Sequence, residues 1–233
     1  MDYLLTGGSV FRNGGFHQMD VAVRNGRIVS ISPSLPRKGF SVIELNERLL
    51  VPGFVDVHVH LREPGFSYKE TIAAGTAAAA AGGYTAVCAM PNLKPVPDCR
   101  EALDEELRAI DRGARIHVYP YGAITRGEQG AELADLRAMA NDVPGFSDDG
   151  RGVQSEERMR QAMVLAKELD KPIVAHCEDE SLLTKGWCVH DGAYAKAHGL
   201  TGNNPESEWR QVERDLRLVR ETGCRYHVCH IST

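Results

Sequence analysis

The chain has 233 residues, a formal net charge of -5, and 42% hydrophobic and 25% charged residues. That composition belongs to a globular protein with room for one large domain, or one domain and a small subdomain. It contains no basic run, no membrane-length apolar stretch and no signal-type N-terminus, so neither nucleic acid nor a membrane is expected as a partner.

Residues 1–50 are expected to form a small antiparallel β subdomain. Short alternating stretches start at Tyr3, Asp20, Arg27 and Ser41, and Asn13-Gly14 and Asn25-Gly26 punctuate them. Asn-Gly is the strongest short hairpin signal because both residues tolerate positive φ.

From residue 51 the pattern changes to strands alternating with helices. Strands are predicted at 51–60, 84–90, 115–122, 143–147, 172–177 and 225–231, and helices at 68–81, 98–112, 131–140, 155–169 and 206–221. Asp98, three residues before Glu101, reads as a capping-box pair, Ser155 as an N-cap, and Gly223 as a helix stop. Apolar strands alternating with helices imply a parallel sheet covered by helices. No Gly-x-Gly-x-x-Gly follows the first strand, which removes support for a dinucleotide site. Polar residues gather instead at the ends of many strands, the distribution of a (β/α)8 TIM-type barrel. Residues 51–233 supply about six of its eight strands, so the expectation is an incomplete barrel from the front part of a longer protein.

The most informative stretch is Val51 to Gly65. With a period of two, Asp56, His58 and His60 share one face of a strand, while Val55, Val57 and Val59 share the other and are expected to pack against helices. Two neutral imidazoles at one strand end can share a divalent metal. Later strands end in Met90-Pro91-Asn92, Phe146-Ser-Asp148-Asp149-Gly150, His176-Cys-Glu178-Asp179-Glu180 and His230-Ile-Ser232-Thr233. Four histidines and a carboxylate from four strand ends would make a cage for two divalent metals, which is the equipment for opening or closing an amide.

Blander readings stand beside these. Asp148 competes with Asp149 for the metals, and Arg62 can simply pair with a carboxylate. Glu178, Asp179 and Glu180 read more naturally as helix N-terminal charges than as ligands. His17, His117, His190, His198 and His227 read as surface or packing residues, and residues 181–204 as a lid or a long connection. The six cysteines include no Cys-x-x-Cys pair, which fits reduced thiols in the cytoplasm. Cys177 and Cys229 read as small buried hydrophobes facing away from the adjacent histidines.

Asp56-Val-His58-Val-His60-Leu-Arg62-Glu-Pro64, together with the strand-end landmarks above, resembles the dihydroorotases of the amidohydrolase superfamily over all 233 residues. The resemblance implies that His58, His60 and Asp149 hold one metal and that Asp149, His176 and His230 hold a second, with Zn2+ the expected ion at two per subunit. It implies that the N-terminal subdomain is the family's small β-sandwich, and that Arg62 and Asn92 grip the substrate carboxylate. The implied reaction is the reversible hydrolysis of (S)-dihydroorotate to N-carbamoyl-L-aspartate in pyrimidine biosynthesis. Phe146 to Asp149 contains no lysine that could be carbamylated to bridge the metals, which points to the bacterial subgroup with an aspartate bridge. The family's Asp-x-Ala-Pro-His motif is not in the chain, so the catalytic aspartate is expected beyond Thr233. Rival readings are another cyclic-amide hydrolase (allantoinase or hydantoinase) and a non-catalytic scaffold for aspartate transcarbamoylase. A homodimer or a complex with that transcarbamoylase is the implied assembly.

Overall fold

At both Asn-Gly turns the backbone enters the left-handed region, with φ of 52° and 79° at Asn13 and Gly14 and 49° and 72° at Asn25 and Gly26. That geometry matches the twist of the flanking strands. These turns join β2 (Ser9–Arg12) to β3 (Gly15–Gln18) and β4 (Asp20–Arg24) to β5 (Arg27–Ser32). The computed structural model describes residues 1–233, which divide into two compact units, Met1–Gly53 and Phe54–Thr233.

The first unit also contains β1 (Tyr3–Thr6), β6 (Ser41–Glu44) and β7 (Leu49–Leu50). Its strands form two sheets, ordered β5-β4-β1-β6 and β3-β2-β7. The expectation of a purely antiparallel unit needs correction, because β1–β6 and β2–β7 are parallel pairs. Both partners are reached by a return of the chain after the hairpins, so they arrive running in the same direction as β1 and β2. Leu4, Val10, Val21 and Ala22 are buried in this unit. There the Thr6 hydroxyl donates to Asp20 Oδ1 at 2.6 Å, satisfying a carboxylate placed among apolar neighbours.

The second unit alternates β8 (Phe54–Val59), α1 (Ile72–Ala81), β9 (Tyr84–Ala89), α2 (Arg100–Gly113), β10 (His117–Pro120), β11 (Gly122–Ala123), α3 (Leu136–Met139), β12 (Phe146–Ser147), α4 (Glu156–Glu168) and β13 (Ile173–Ala175). It continues through β14 (Val189–His190), α5 (Ala193–His198), β15 (Gly202–Asn203), α6 (Glu206–Thr222) and β16 (Tyr226–Val228). Strands β8, β9 and β10 pair in parallel, as do β11, β12, β13 and β16. The third predicted strand is split at Tyr121, whose N–H donates to Ala89 O, while the next N–H, from Gly122, donates to Gly145 O. One strand thereby serves a neighbour on each side. The series is open, with β8 and β16 at its edges, so the fold is a mixed α/β array of parallel strands and no closed barrel is formed.

Local chemistry explains the helix starts. Thr71 Oγ1 accepts from Ala74 N at 3.2 Å and Ser155 Oγ from Arg158 N at 3.2 Å, and Gly223 ends α6 with φ 69°. The capping-box expectation at Asp98 fails. Helix α2 begins at Arg100, with Cys99 at the cap position and no side-chain cap, because Asp98 Oδ2 is engaged by Gly127 N at 2.8 Å. A tertiary acceptor role has displaced the local one.

The main core lies between the strands and α2, α3, α4 and α6, with Leu103, Met139, Phe146, Met159, Met163, Ile173 and Leu218 each fully buried. The β8 valines depart from expectation: Val55 is 59% and Val57 45% exposed, and only Val59 packs into a core cluster. As an edge strand, β8 lacks the cover that the alternation anticipates. Cys177 and Cys229 are buried as expected, and all six cysteines are free thiols. No helix is long and apolar enough to cross a membrane.

Candidate metal centre

Parallel strands bring their C-terminal ends to one side, so residues far apart in sequence meet there. His58 lies on β8 and His60 just after it, Asp149 follows β12, His176 follows β13 and His230 follows β16. Asp149 is the hub. Its Oδ1 lies 3.4 Å from His58 Nε2, 3.3 Å from His230 Nε2 and 3.6 Å from His176 Nδ1, and its Oδ2 lies 3.4 Å from His60 Nε2. Ring centroids are 5.2 Å apart for His58 and His60 and 4.9 Å for His176 and His230.

Two overlapping groups result, His58–His60–Asp149 and Asp149–His176–His230, each with ligand atoms within 4.8 Å of one another. Imidazole nitrogens around a shared carboxylate are a donor set suited to divalent zinc, manganese or cobalt. His58 Nδ1 and His176 Nε2 are buried without hydrogen-bond partners, and every ring nitrogen facing Asp149 is an available ligand. The residues fit a metal pair.

The electrostatics agree with that fit. Burial opposes ionisation of Asp149, but the His176 and His58 rings outweigh it and hold the carboxyl well below the usual range. Burial lowers the pKa of His60 against the pull of Asp149, favouring the neutral, ligating imidazole. For His176, burial is opposed by Asp149 and Glu178, and the net direction is upward.

Asn92 ties this cluster to Arg62. Its Oδ1 is 3.1 Å from His60 Nδ1 and accepts from Arg62 Nη1 at 3.1 Å, and its Nδ2 donates to the Asp149 carbonyl at 3.0 Å. Arg62 itself sits at φ 60°, a left-handed turn just beyond the strand. A cavity of about 410 Å3 opens here, lined among others by Arg62, Lys69, Asn92, Glu128, Asp149 and Arg151. A smaller one of about 150 Å3 lies on the far side of the histidines, lined by His176, Glu178, Trp187, His190 and His230.

Asp148 is not part of the cluster. It is buried and accepts from Ile124 N at 2.7 Å, Thr125 N at 3.0 Å and the Thr125 hydroxyl. Burial raises its pKa to about 6 against those hydrogen bonds. His17, His117, His190, His198 and His227 lie outside both groups, and His190, exposed at the surface, also lines the smaller cavity. Lys69, Glu128 and Arg151 escaped the sequence reading, since no spacing marks loop residues as neighbours of a strand end. Glu178 carried a usable signal, because i and i+2 share a face when extended. It lies 3.7 Å from His176 Nε2.

Residues 47–233 match the model of the dihydro-orotase-like family. The chain belongs to that family. Among its dihydroorotase relatives, one from Bacillus cereus strain B4264 is 44% identical over 235 residues, covering 100% of this chain and 55% of that protein. Another, from Fusobacterium nucleatum, is 44% identical over 229 residues, covering 98% and 54%. The chain thus spans about half the length of the curated relatives it matches. In fold it is similar to an L-hydantoinase from Arthrobacter aurescens, with a TM-score of 0.84 at 21% identity, covering 99% of this chain and 53% of that one. The family match takes in all of the second unit, and with it every side chain of the metal centre.

Proposed function

We propose that the protein carrying this chain is a cytoplasmic dihydroorotase, interconverting (S)-dihydroorotate and N-carbamoyl-L-aspartate in pyrimidine biosynthesis. Two zinc ions would lie at the mouth of a (β/α)8 barrel. One observation carries the reading: a single amide, Asn92, bridges a histidine of the metal cluster and the Arg62 guanidinium. Amide hydrolysis of an anionic substrate needs those two functions side by side.

His58, His60 and Asp149 would hold one ion, and Asp149, His176 and His230 the other. Bound there, the ions would supply an activated water and a polarised amide carbonyl. Arg62 offers parallel N–H donors to a planar carboxylate, and Asn92 sets its direction. Lys69 and Arg151 add positive charge to the same cavity, drawing in the doubly charged open-chain acid. Ring closure consumes a carboxylate and a proton, so acid favours the ring.

An allantoinase or hydantoinase reading is disfavoured by Phe146-Ser-Asp-Asp149, which offers no lysine, and by the Arg62–Asn92 pair. The hydantoinase likeness, at 21% identity, speaks for fold alone. The test is turnover of dihydroorotate, allantoin and hydantoin by the longest natural polypeptide containing this chain, with metal analysis of the same sample. Dihydroorotate should be the substrate turned over, with metal bound. Turnover of allantoin or hydantoin in its place would overturn the proposal, as would a metal-free protein with no turnover.

A further inference from the structure

A histidine ligand must present a lone pair to its metal, so its proton must sit on the other ring nitrogen. Which nitrogen that is depends on the hydrogen bond made on the far side of the ring. His176 turns Nδ1 toward the cluster, 3.6 Å from Asp149 Oδ1 and 3.1 Å from His230 Nε2. Its Nε2 points away, buried and without a hydrogen-bond partner. The carboxylate beside Nε2 is Glu178, with Oε2 at 3.7 Å, and that carboxylate has no other partner. A buried N–H left unpaired is costly, so the Nε2 proton and the Glu178 carboxylate each supply what the other lacks.

The backbone on either side of the ring is clamped. Gln211, almost fully buried on α6, donates through Nε2 to His176 O at 3.3 Å and accepts from Glu178 N at 3.1 Å. Gln154 Nε2 donates to Glu178 O at 2.8 Å. These contacts leave the glutamate backbone little freedom, so its carboxylate stays within reach of Nε2. At the other half of the cluster an amide takes the equivalent place, with Asn92 Oδ1 3.1 Å from His60 Nδ1.

We propose that Glu178 is a positioning residue that holds His176 as the Nε2-protonated tautomer, turning the Nδ1 lone pair into the second metal position. The inference rests on the metal-binding reading above and adds an unassigned residue to it. The glutamate makes the ligating nitrogen more basic and restricts the ring to one orientation.

The experiment compares wild type, Glu178→Gln and Glu178→Leu in the longest natural polypeptide containing this chain. One readout is the 15N spectrum of the imidazoles in the metal-free protein. The other is stepwise cobalt binding followed by visible absorption. At a pH where the ring is neutral, wild-type His176 should carry its proton on Nε2 in a larger share than the Glu178→Leu variant, in which Asp149 alone draws the proton, toward Nδ1. Glu178→Leu should give a mixture of tautomers and weaken one of two cobalt-binding steps by about 10–100-fold, leaving the other unchanged. Glu178→Gln, which keeps an acceptor, should recover part of both effects. An unchanged tautomer and unchanged cobalt affinities in Glu178→Leu would overturn the proposal. A wild type that binds no cobalt would instead sink the metal reading, while the imidazole spectrum would still decide whether Glu178 sets the tautomer.

Discussion

Asp148 and Asp149 are consecutive residues with opposite surroundings. Asp148 closes a buried ring of donors from Ile124 and Thr125, and Asp149 faces four imidazoles. Strand β12 ends at Ser147, and the two carboxylates diverge from there. Substituting each by asparagine should separate the roles. Asp148→Asn places an amide group among donors and should cost about 1–3 kcal/mol of stability with metal binding retained. Asp149→Asn should abolish tight binding of both metals while the fold survives. Chemical denaturation and metal titration of both variants check this.

Asn92 is engaged at both ends of its amide before any substrate arrives. Asn92→Ala should therefore weaken metal binding at the His58–His60 position by about tenfold and also raise KM. Arg62→Ala, in contrast, should raise KM with little change in metal affinity. Calorimetric metal titration alongside steady-state kinetics distinguishes the two patterns.

Gly152 lies at φ +64°, where a Cβ would come within 2.6 Å of His176 O and 2.8 Å of Gln211 Nε2. Gly152→Ala meets both a disfavoured backbone conformation and a backbone atom that cannot yield. A loss of about 1–3 kcal/mol is expected, together with weaker binding of the metal that uses His176. Thermal melts with and without added metal report both.

Burial, reinforced by Asp148 and Asp149 and opposed by Arg151 and Arg62, pushes Glu128 from 4.5 up to about 8. Between these values the folded state keeps a proton that the unfolded chain has released, so stability falls as pH rises from about 4.5 to about 8 and levels off above. Glu128→Gln should leave stability below pH 4.5 unchanged. In the metal-free protein it should gain on the order of 1–3 kcal/mol at high pH. Denaturant midpoints across that pH range are the measurement.

On the proposed metal reading, chelation should lower the melting temperature, and added zinc should raise it in proportion to the logarithm of free metal, because an ion held there would bind only the assembled strand ends. An identical melting curve with and without chelator would contradict this.

Much of this architecture was legible in the residues. Apolar strand runs, Asn-Gly turns, Ser155 and Gly223 are local signals, acting through φ preference and hydrogen bonds within a few residues. Period-two alternation brought out His58 and His60 as a pair at one strand end, and both face Asp149. Where a residue had a distant competitor for its hydrogen bonds the local signal misled, as at Asp98, which is engaged by Gly127 N.

Local patterning reveals the order of the main strands and helices and the chemical types at each strand end, but not β14, α5 and β15, which lie in the stretch read as a lid or long connection. Packing across the sheet brings Asp149, the aspartate implied by the family resemblance, up to the histidines and turns Asp148 away. Only the tertiary structure decided that Glu128 and Arg151 share a cavity with Arg62, that Glu178 lies beside His176 Nε2, and that Val55 and Val57 are left uncovered. The reason is physical: backbone preference acts over a few residues, whereas these relations depend on how parallel strands register across the sheet and on which loops fold back over their ends.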